Sequence, residues 1–128
     1  VLFRSQLEYR LAKGIVVWGN EELLRRLLVN LISNAYRYGK ENGHISIVLQ
    51  KTGENVLLSV SDDGYGIGKE HIDHIWQRFY QADTSHTHQG SGLGLAMVQE
   101  IAQLHGGWMK VESEEGEGSC FSLHLPLK

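Results

Sequence analysis

Apolar residues recur at helical spacing through Leu23, Leu24, Leu27, Leu28, Leu31, Ile32 and Ala35. That run predicts a helix to about Tyr38 with one wide buried face. Asn20 precedes it as the expected N-cap, Glu21 and Glu22 suit its dipole, and Gly39 ends it. Upstream, residues 6–18 alternate loosely around Gly14 and predict a hairpin ending at Val16-Val17-Trp18. Downstream, Ile45, Ile47 and Leu49 alternate as one strand and Val56, Leu58 and Val60 as a second, with Thr52-Gly53-Glu54-Asn55 as the turn. Ile72, Ile75, Trp76 and Phe79 keep the spacing of a short helix. From Gln81 to Gly90 there is no period and much Ser, Thr and His, the pattern of a mobile loop. A third helix is predicted from around Ser91 to Gly94, carrying Leu95, Val98, Ile101, Ala102 and Leu104 and ended by Gly106-Gly107. Two final strands, Trp108 to Ser113 and Ser119 to Leu127, flank a Gly- and Glu-rich turn. This order predicts an α/β (α+β) two-layer sandwich, a mixed and mostly antiparallel sheet with helices on one face. No repeat or linker interrupts it, so residues 1–128 read as a single domain.

Composition narrows the function classes. A formal charge of −3 and the lack of a basic stripe argue against a nucleic-acid binder. A polyanionic ligand then needs a metal ion and backbone amides rather than a basic surface. The lone Cys120 excludes an intrachain disulfide, points to a reducing compartment, and reads as a small core residue. Trp18, Trp76 and Trp108 read as core or domain-contact aromatics. No signal peptide or apolar run of transmembrane length is present, and a chain beginning at Val1 reads as a fragment of something longer.

Three stretches carry candidate chemistry. The polar flank of the first helix holds Asn30, Asn34 and Arg37, with Arg26 a turn earlier and Ser33 beside them. Solvated flanks usually carry Glu and Lys, and Asn is a mediocre helix former, so paired Asn point to neutral oxygen ligands and amide donors. A plain polar helix face is the alternative. In Val60-Ser61-Asp62-Asp63-Gly64-Tyr65-Gly66-Ile67-Gly68, acids end a strand and three glycines follow at alternate positions. Glycine lets a ligand approach the backbone closely, and a carboxylate there can accept from an exocyclic amine, a bond contributing roughly 1.5–3 kcal/mol. A β-turn or a calcium loop fits the same stretch. Gly90-Ser91-Gly92-Leu93-Gly94-Leu95 opens a helix whose free amides suit phosphate. It is neither a Walker A loop nor a Rossmann fingerprint, because Leu95 occupies the last slot.

Together, the Asn helix, the Asp62-Gly64-Gly66 loop, the Phe79-Tyr80 segment and the Gly90-to-Leu95 loop resemble, in order and spacing, the catalytic ATP-binding domain of sensor histidine kinases. That family lies within the wider group of gyrase, Hsp90 and MutL, and the resemblance spans residues 6–127. It implies a Bergerat-type fold that binds ATP with Mg²⁺. By resemblance, Asn34 ligates Mg²⁺, Asn30 meets phosphate or the metal's water shell, Arg37 meets the phosphates, and Tyr38 flanks the nucleotide. Asp62 holds the adenine amine, Gly64, Gly66 and Ile67 shape its pocket, and Ser119 lies near the adenine. Phe79 anchors a lid running from Gln81 to Gly90. Gly92, Leu93, Gly94 and Leu95 donate amides to phosphate.

The same resemblance implies that the γ-phosphoryl group goes to a histidine on a separate dimerisation domain of the same kinase. A response regulator is then an indirect partner, and the parent protein is a membrane-anchored kinase whose cytoplasmic part includes this domain. No nucleic acid and no direct membrane contact are expected. Hydrolysing relatives carry Glu where this chain has Asn30, and an amide cannot take a proton from water. Gln81 replaces a common Arg that meets the γ-phosphate, with Arg78 a possible substitute. Tyr65 replaces a common Pro, and Asn20 a usual Asp. A nucleotide-binding module without transfer activity and a hydrolysing ATPase of the same fold are the alternatives. No histidine is followed by Asp or Glu, and the only proline is Pro126, so the phosphoacceptor is expected outside this chain. His86 and His88 with Asp83 could bind a transition metal, though a polar lid explains the same residues. His105 reads as a helix C-terminal residue favoured by the dipole.

Overall fold

The computed structural model describes residues 6–80 and 94–127. Its elements are β1 (Gln6–Leu11), α1 (Glu21–Tyr38), β2 (His44–Thr52), β3 (Asn55–Asp62), α2 (Lys69–Ile72), α3 (Gly94–Leu104), β4 (Trp108–Glu114) and β5 (Gly118–Pro126). The five strands form one sheet in the order β1-β2-β3-β5-β4. Only β1–β2 is parallel; the other three pairings are antiparallel.

Alternation explains which face is covered, because successive residues of a strand point to opposite sides of the sheet. Ile47, Val60, Phe121 and Val111 form one row across four strands. Leu27, Leu31 and Ala35 of α1 and Val98, Ile101 and Ala102 of α3 are buried with that face. The next row along reads Ile45, Asp62, Ser119 and Ser113. Polar groups thus stand on the core side of the sheet, one step beyond the packed hydrophobic layer.

The first helix is set by its own sequence. Asn20 Oδ1 accepts from the Leu23 N–H at 3.0 Å, and its backbone N–H donates to His105 Nε2 at 2.9 Å, tying the start of α1 to the end of α3. His105 thus bridges the two helices, its Nδ1 meeting the Ile101 carbonyl at 2.8 Å. Asn20→Ala is expected to cost about 1 kcal/mol of stability in urea titrations, whereas Asn20→Asp keeps the cap.

Three expectations are corrected. Residues 6–18 do not form a hairpin: β1 pairs in parallel with β2, and the alternation beyond Gly14 reflects Ile15 and Val17 packing against the core. The helix expected over Ile72 to Phe79 is one turn long, and after it three successive i→i+3 turns run His71–His74–Gln77–Tyr80. Those turns still bury Ile75, but Phe79 leaves them with φ 65° and is 70% exposed. Cys120 is not in the core. It faces the opposite side of the sheet, where it meets the Ser61 hydroxyl at 3.2 Å. The tryptophans divide between the two readings: Trp76 packs edge-on against Phe121 of the core, whereas Trp18, 71% exposed, and Trp108, stacked on His124 at the sheet edge, are left to the domain-contact reading.

Candidate functional site

Where the inward row turns polar, the structure holds a cavity of about 550 Å³. Its floor is Asp62, Ser119 and Phe121 of the sheet, and one wall is Asn34 and Tyr38 from the last turns of α1. Gly66, Ile67 and Gly68 form a second wall, Leu95 in the first turn of α3 a third, and Glu70, His71, Ile75 and Tyr80 close the side beside α2.

The glycine loop is held by backbone approach that side chains would prevent. A Cβ on Gly64 would lie 2.4 Å from the Tyr38 carbonyl oxygen, and one on Gly66 2.1 Å from that of Glu114. Hydrogen bonds lace the same loop to its neighbours: Tyr65 N–H to the Tyr38 carbonyl at 3.3 Å, and Gly116 N–H to the Tyr65 carbonyl at 2.7 Å. Lys40 adds a bond from Nζ to the Gly116 carbonyl at 3.2 Å.

The two adjacent acids have opposite surroundings. Burial pushes the Asp62 carboxyl above its ordinary range; N–H groups of Gly64 and Ser119 partly offset this, and the Asp63 charge adds to it. The Gly64 bond to Asp62 Oδ1 is 2.9 Å. Asp63 is held below the usual range, first by the His44 backbone N–H on Oδ1 at 2.8 Å and then by the His44 imidazole on Oδ2 at 3.0 Å. Asp63 is thus an exposed strap across the ends of β2 and β3. Asp62 is a half-buried acceptor facing a cavity, a group suited to a ligand with an N–H to donate.

Among the remaining candidates, Asn30 is outside the cavity lining but beside it. Its Nδ2 donates to the Arg26 carbonyl at 2.8 Å, and its Oδ1 faces Gly94 so closely that a Cβ there would stand 3.0 Å away. The first-turn amides of α3 lack intrahelical acceptors, as in any helix start. Arg37 is half-buried near the cavity but not part of its lining. Arg78 is engaged by Glu100 of α3 at 3.7 Å. Phe79 points outward, while its neighbour Tyr80 faces the cavity and bonds His71 Nδ1 through its hydroxyl. Gly90, Gly92 and Leu93, the expected lid from Gln81 to Gly90, and the Asp83, His86 and His88 group lie outside the described residues.

Sequence reasoning missed Tyr65, Glu70, His71, Tyr80 and Glu115 in the lining, and Ser113 behind it. Ser113 had a signal: it is a polar residue at an inward position of a strand whose other inward residues are Met109 and Val111.

The sequence profile of the histidine kinase-, DNA gyrase B-, and HSP90-like ATPases matches residues 19–128. The chain belongs to this family. Within it, the chain is 41% identical over 115 residues to the sensor histidine kinase RppB of a Synechocystis strain, covering 88% of this chain and 25% of that protein. It thus spans about a quarter of that relative's length. The mycobacterial sensor histidine kinase MprB superposes with a TM-score of 0.89 at 25% identity, over 98% of this chain and 85% of that one. Full-length ShkA in complex with AMPPNP gives 0.83 at 27% identity, over 96% of this chain and 26% of that one. The expected Bergerat-type sandwich is the fold shared with these kinases.

Proposed function

We propose that this domain binds Mg²⁺-ATP and donates the γ-phosphoryl group to a phosphoacceptor histidine on a separate dimerisation domain of the same kinase. The observation that carries the reading is Asp62, a half-buried carboxylate on the core side of the sheet, in one cavity with Asn34 and the start of α3. Asp62 accepts from the adenine amine, with Gly64, Gly66 and Ile67 holding the loop around it and Ser119 beneath. Tyr38 flanks the nucleotide. Asn30, Arg37, Gly94 and Leu95 are assigned to the phosphates; for Gly90, Gly92 and Leu93, outside the described residues, and for Phe79 the assignment to nucleotide binding rests on the family resemblance.

The donor set fits Mg²⁺. Among the described residues no three His, Cys, Asp or Glu side chains come together to hold a metal. A hard cation that keeps water and takes phosphate oxygens needs only an amide oxygen such as that of Asn34. When bound, the ion neutralises charge on the phosphates. Asn30 cannot activate water, because an amide takes no proton, so transfer to an outside acceptor is favoured over hydrolysis. The domain's catalytic contribution is then positioning of the phosphoryl donor. A response regulator is reached only through the acceptor histidine, and nucleic acid has no part. Among the described residues no helix is long and apolar enough to cross a membrane. We place the domain in the cytoplasmic part of a membrane-anchored kinase, without bilayer contact of its own.

Calorimetry with and without Mg²⁺ tests the reading on the intact chain and on Asn34→Ala. The intact chain is expected to bind ATP in a metal-linked manner, and Asn34→Ala to bind more weakly with that linkage reduced. Labelled phosphate should pass to a supplied acceptor domain and not be released steadily by the chain alone. An intact chain that binds no ATP overturns the reading. Binding without transfer reduces it to a nucleotide-binding module, and steady phosphate release favours an ATPase.

A further inference from the structure

Ser113 stands on the inward face of β4, directly across from Ser119, which in turn pairs with Asp62. A serine hydroxyl has one proton to donate and two lone-pair positions to accept with. All three are in use at Ser113. It donates to the Gly118 carbonyl at 3.0 Å, accepts the Ile67 N–H at 2.7 Å, and meets Ser119 Oγ at 2.8 Å. A carbonyl only accepts and an N–H only donates, so all three contacts are hydrogen bonds together only when the proton of Ser113 goes to Gly118. In the remaining contact Ser119 must be the donor. Its single proton therefore points to Ser113, and what Ser119 Oγ presents to the cavity is lone pairs alone. Ser119 lines that cavity beside Asp62, whereas Ser113 does not reach it.

We infer that Ser113 determines the base specificity of the site: by holding Ser119 Oγ as an acceptor next to the Asp62 acceptor, it selects a 6-amino purine over a 6-oxo purine. An exocyclic amine brings two N–H groups to two neighbouring acceptors. A 6-oxo oxygen there finds no donor and is left unpaired against a carboxylate, the arrangement by which polar sites reject analogues most strongly. Ser113 acts through Ser119 and is a positioning residue. The same hydroxyl also clips the glycine loop at Ile67 to the β4–β5 turn at Gly118, so the two walls and the proton direction share one node. This inference rests on the nucleotide reading of the cavity.

Calorimetric affinities for Mg²⁺-ATP and for Mg²⁺-inosine triphosphate test it, on the intact chain, Ser113→Ala and Ser113→Thr, each with a thermal melt. The intact chain is expected to prefer ATP. In Ser113→Ala the Ser119 hydroxyl is free to turn and donate into the cavity, so the preference should narrow by roughly 5-fold. Ser113→Thr keeps the hydroxyl and should restore it. Loss of a merely structural tie weakens both ligands alike, so an unchanged ratio in Ser113→Ala overturns the assignment. A preference lost in a folded Ser113→Thr also overturns it. Should Ser113→Ala not fold, Ser119→Ala removes the second acceptor while leaving Ser113 bonded to Ile67 and Gly118. The preference should narrow there too, and an unchanged ratio again overturns the inference. An intact chain that binds neither nucleotide overturns the nucleotide reading itself; ATP bound with an unaltered ratio overturns only the role of Ser113.

Discussion

Asp62→Ala is expected to weaken Mg²⁺-ATP binding by roughly 10- to 150-fold, the loss of one charge-assisted hydrogen bond worth roughly 1.5–3 kcal/mol. Isothermal calorimetry measures it directly, and the fold should survive, because Asp62 pairs through its backbone across the sheet with both Ile45 and Ser119. The stability effect has the opposite sign from the binding effect. Burial raises the folded-state pKa of Asp62 above its unfolded value. Its stability contribution is therefore full below the unfolded pKa and is lost as pH rises through the folded one. At neutral pH the ionised carboxylate is a cost that the free domain bears. Asp62→Asn, which keeps an acceptor for the Gly64 N–H, should make the unliganded domain at least as stable at pH 7. That advantage should fade in acid, where the native Asp62 is protonated. A chain destabilised by Asp62→Asn at neutral pH, with ATP affinity unchanged, would count against Asp62 as the ligand acceptor. Residues kept for binding at a cost in stability are a common signature of functional sites.

Gly66→Ala is expected to be the most damaging single methyl in the domain's binding loop, costing about 2–4 kcal/mol. Two effects combine there. Gly66 has φ 71°, a conformation unfavourable for any side chain. The added Cβ would also stand 2.1 Å from the Glu114 carbonyl oxygen, which belongs to a sheet strand and cannot swing away. Gly53 separates the two effects: its φ is 64°, and a Cβ there meets nothing within 4 Å. Gly53→Ala should cost only about 1–2 kcal/mol, the backbone penalty alone. Urea titrations of both variants measure the difference, which is the close approach itself. Equal costs would mean that the loop moves freely away from the β4–β5 turn. In that case the cavity wall is softer than the hydrogen bonds at Tyr65 and Gly116 indicate.

How much was legible in the sequence follows from the range of the interactions. The cap and buried stripe of α1 depend on residues three and four apart, and the alternation of β2, β3 and β5 on residues two apart, so each is written in a short window. The same holds for the glycines that bend the loop after Asp62, and these signals together led to the family. Phe79 shows where such reading stops. Its spacing belongs to a helix, but the i→i+3 turns after Ile72 change the phase and send the side chain into solvent. Arg78 reads either as a substitute for the missing Arg or as a solvent-facing residue, and its exposed pairing with Glu100 of another helix is a contact that no short window of sequence contains.

The sequence by itself determined α1, α3, the strands from β2 to β5 and the glycine loop after Asp62, because helix periodicity, strand alternation and glycine conformation are local properties of the chain. Tertiary structure alone decided that β1 runs parallel beside β2, because that depends on which strand lies alongside which. It also decided that Asp62 stands in one row with Ser119 and Ser113, which belong to a hairpin distant from it in the chain. A one-residue change of register would turn each strand's side chains to the opposite face. The cavity and the raised carboxyl both follow from that alignment.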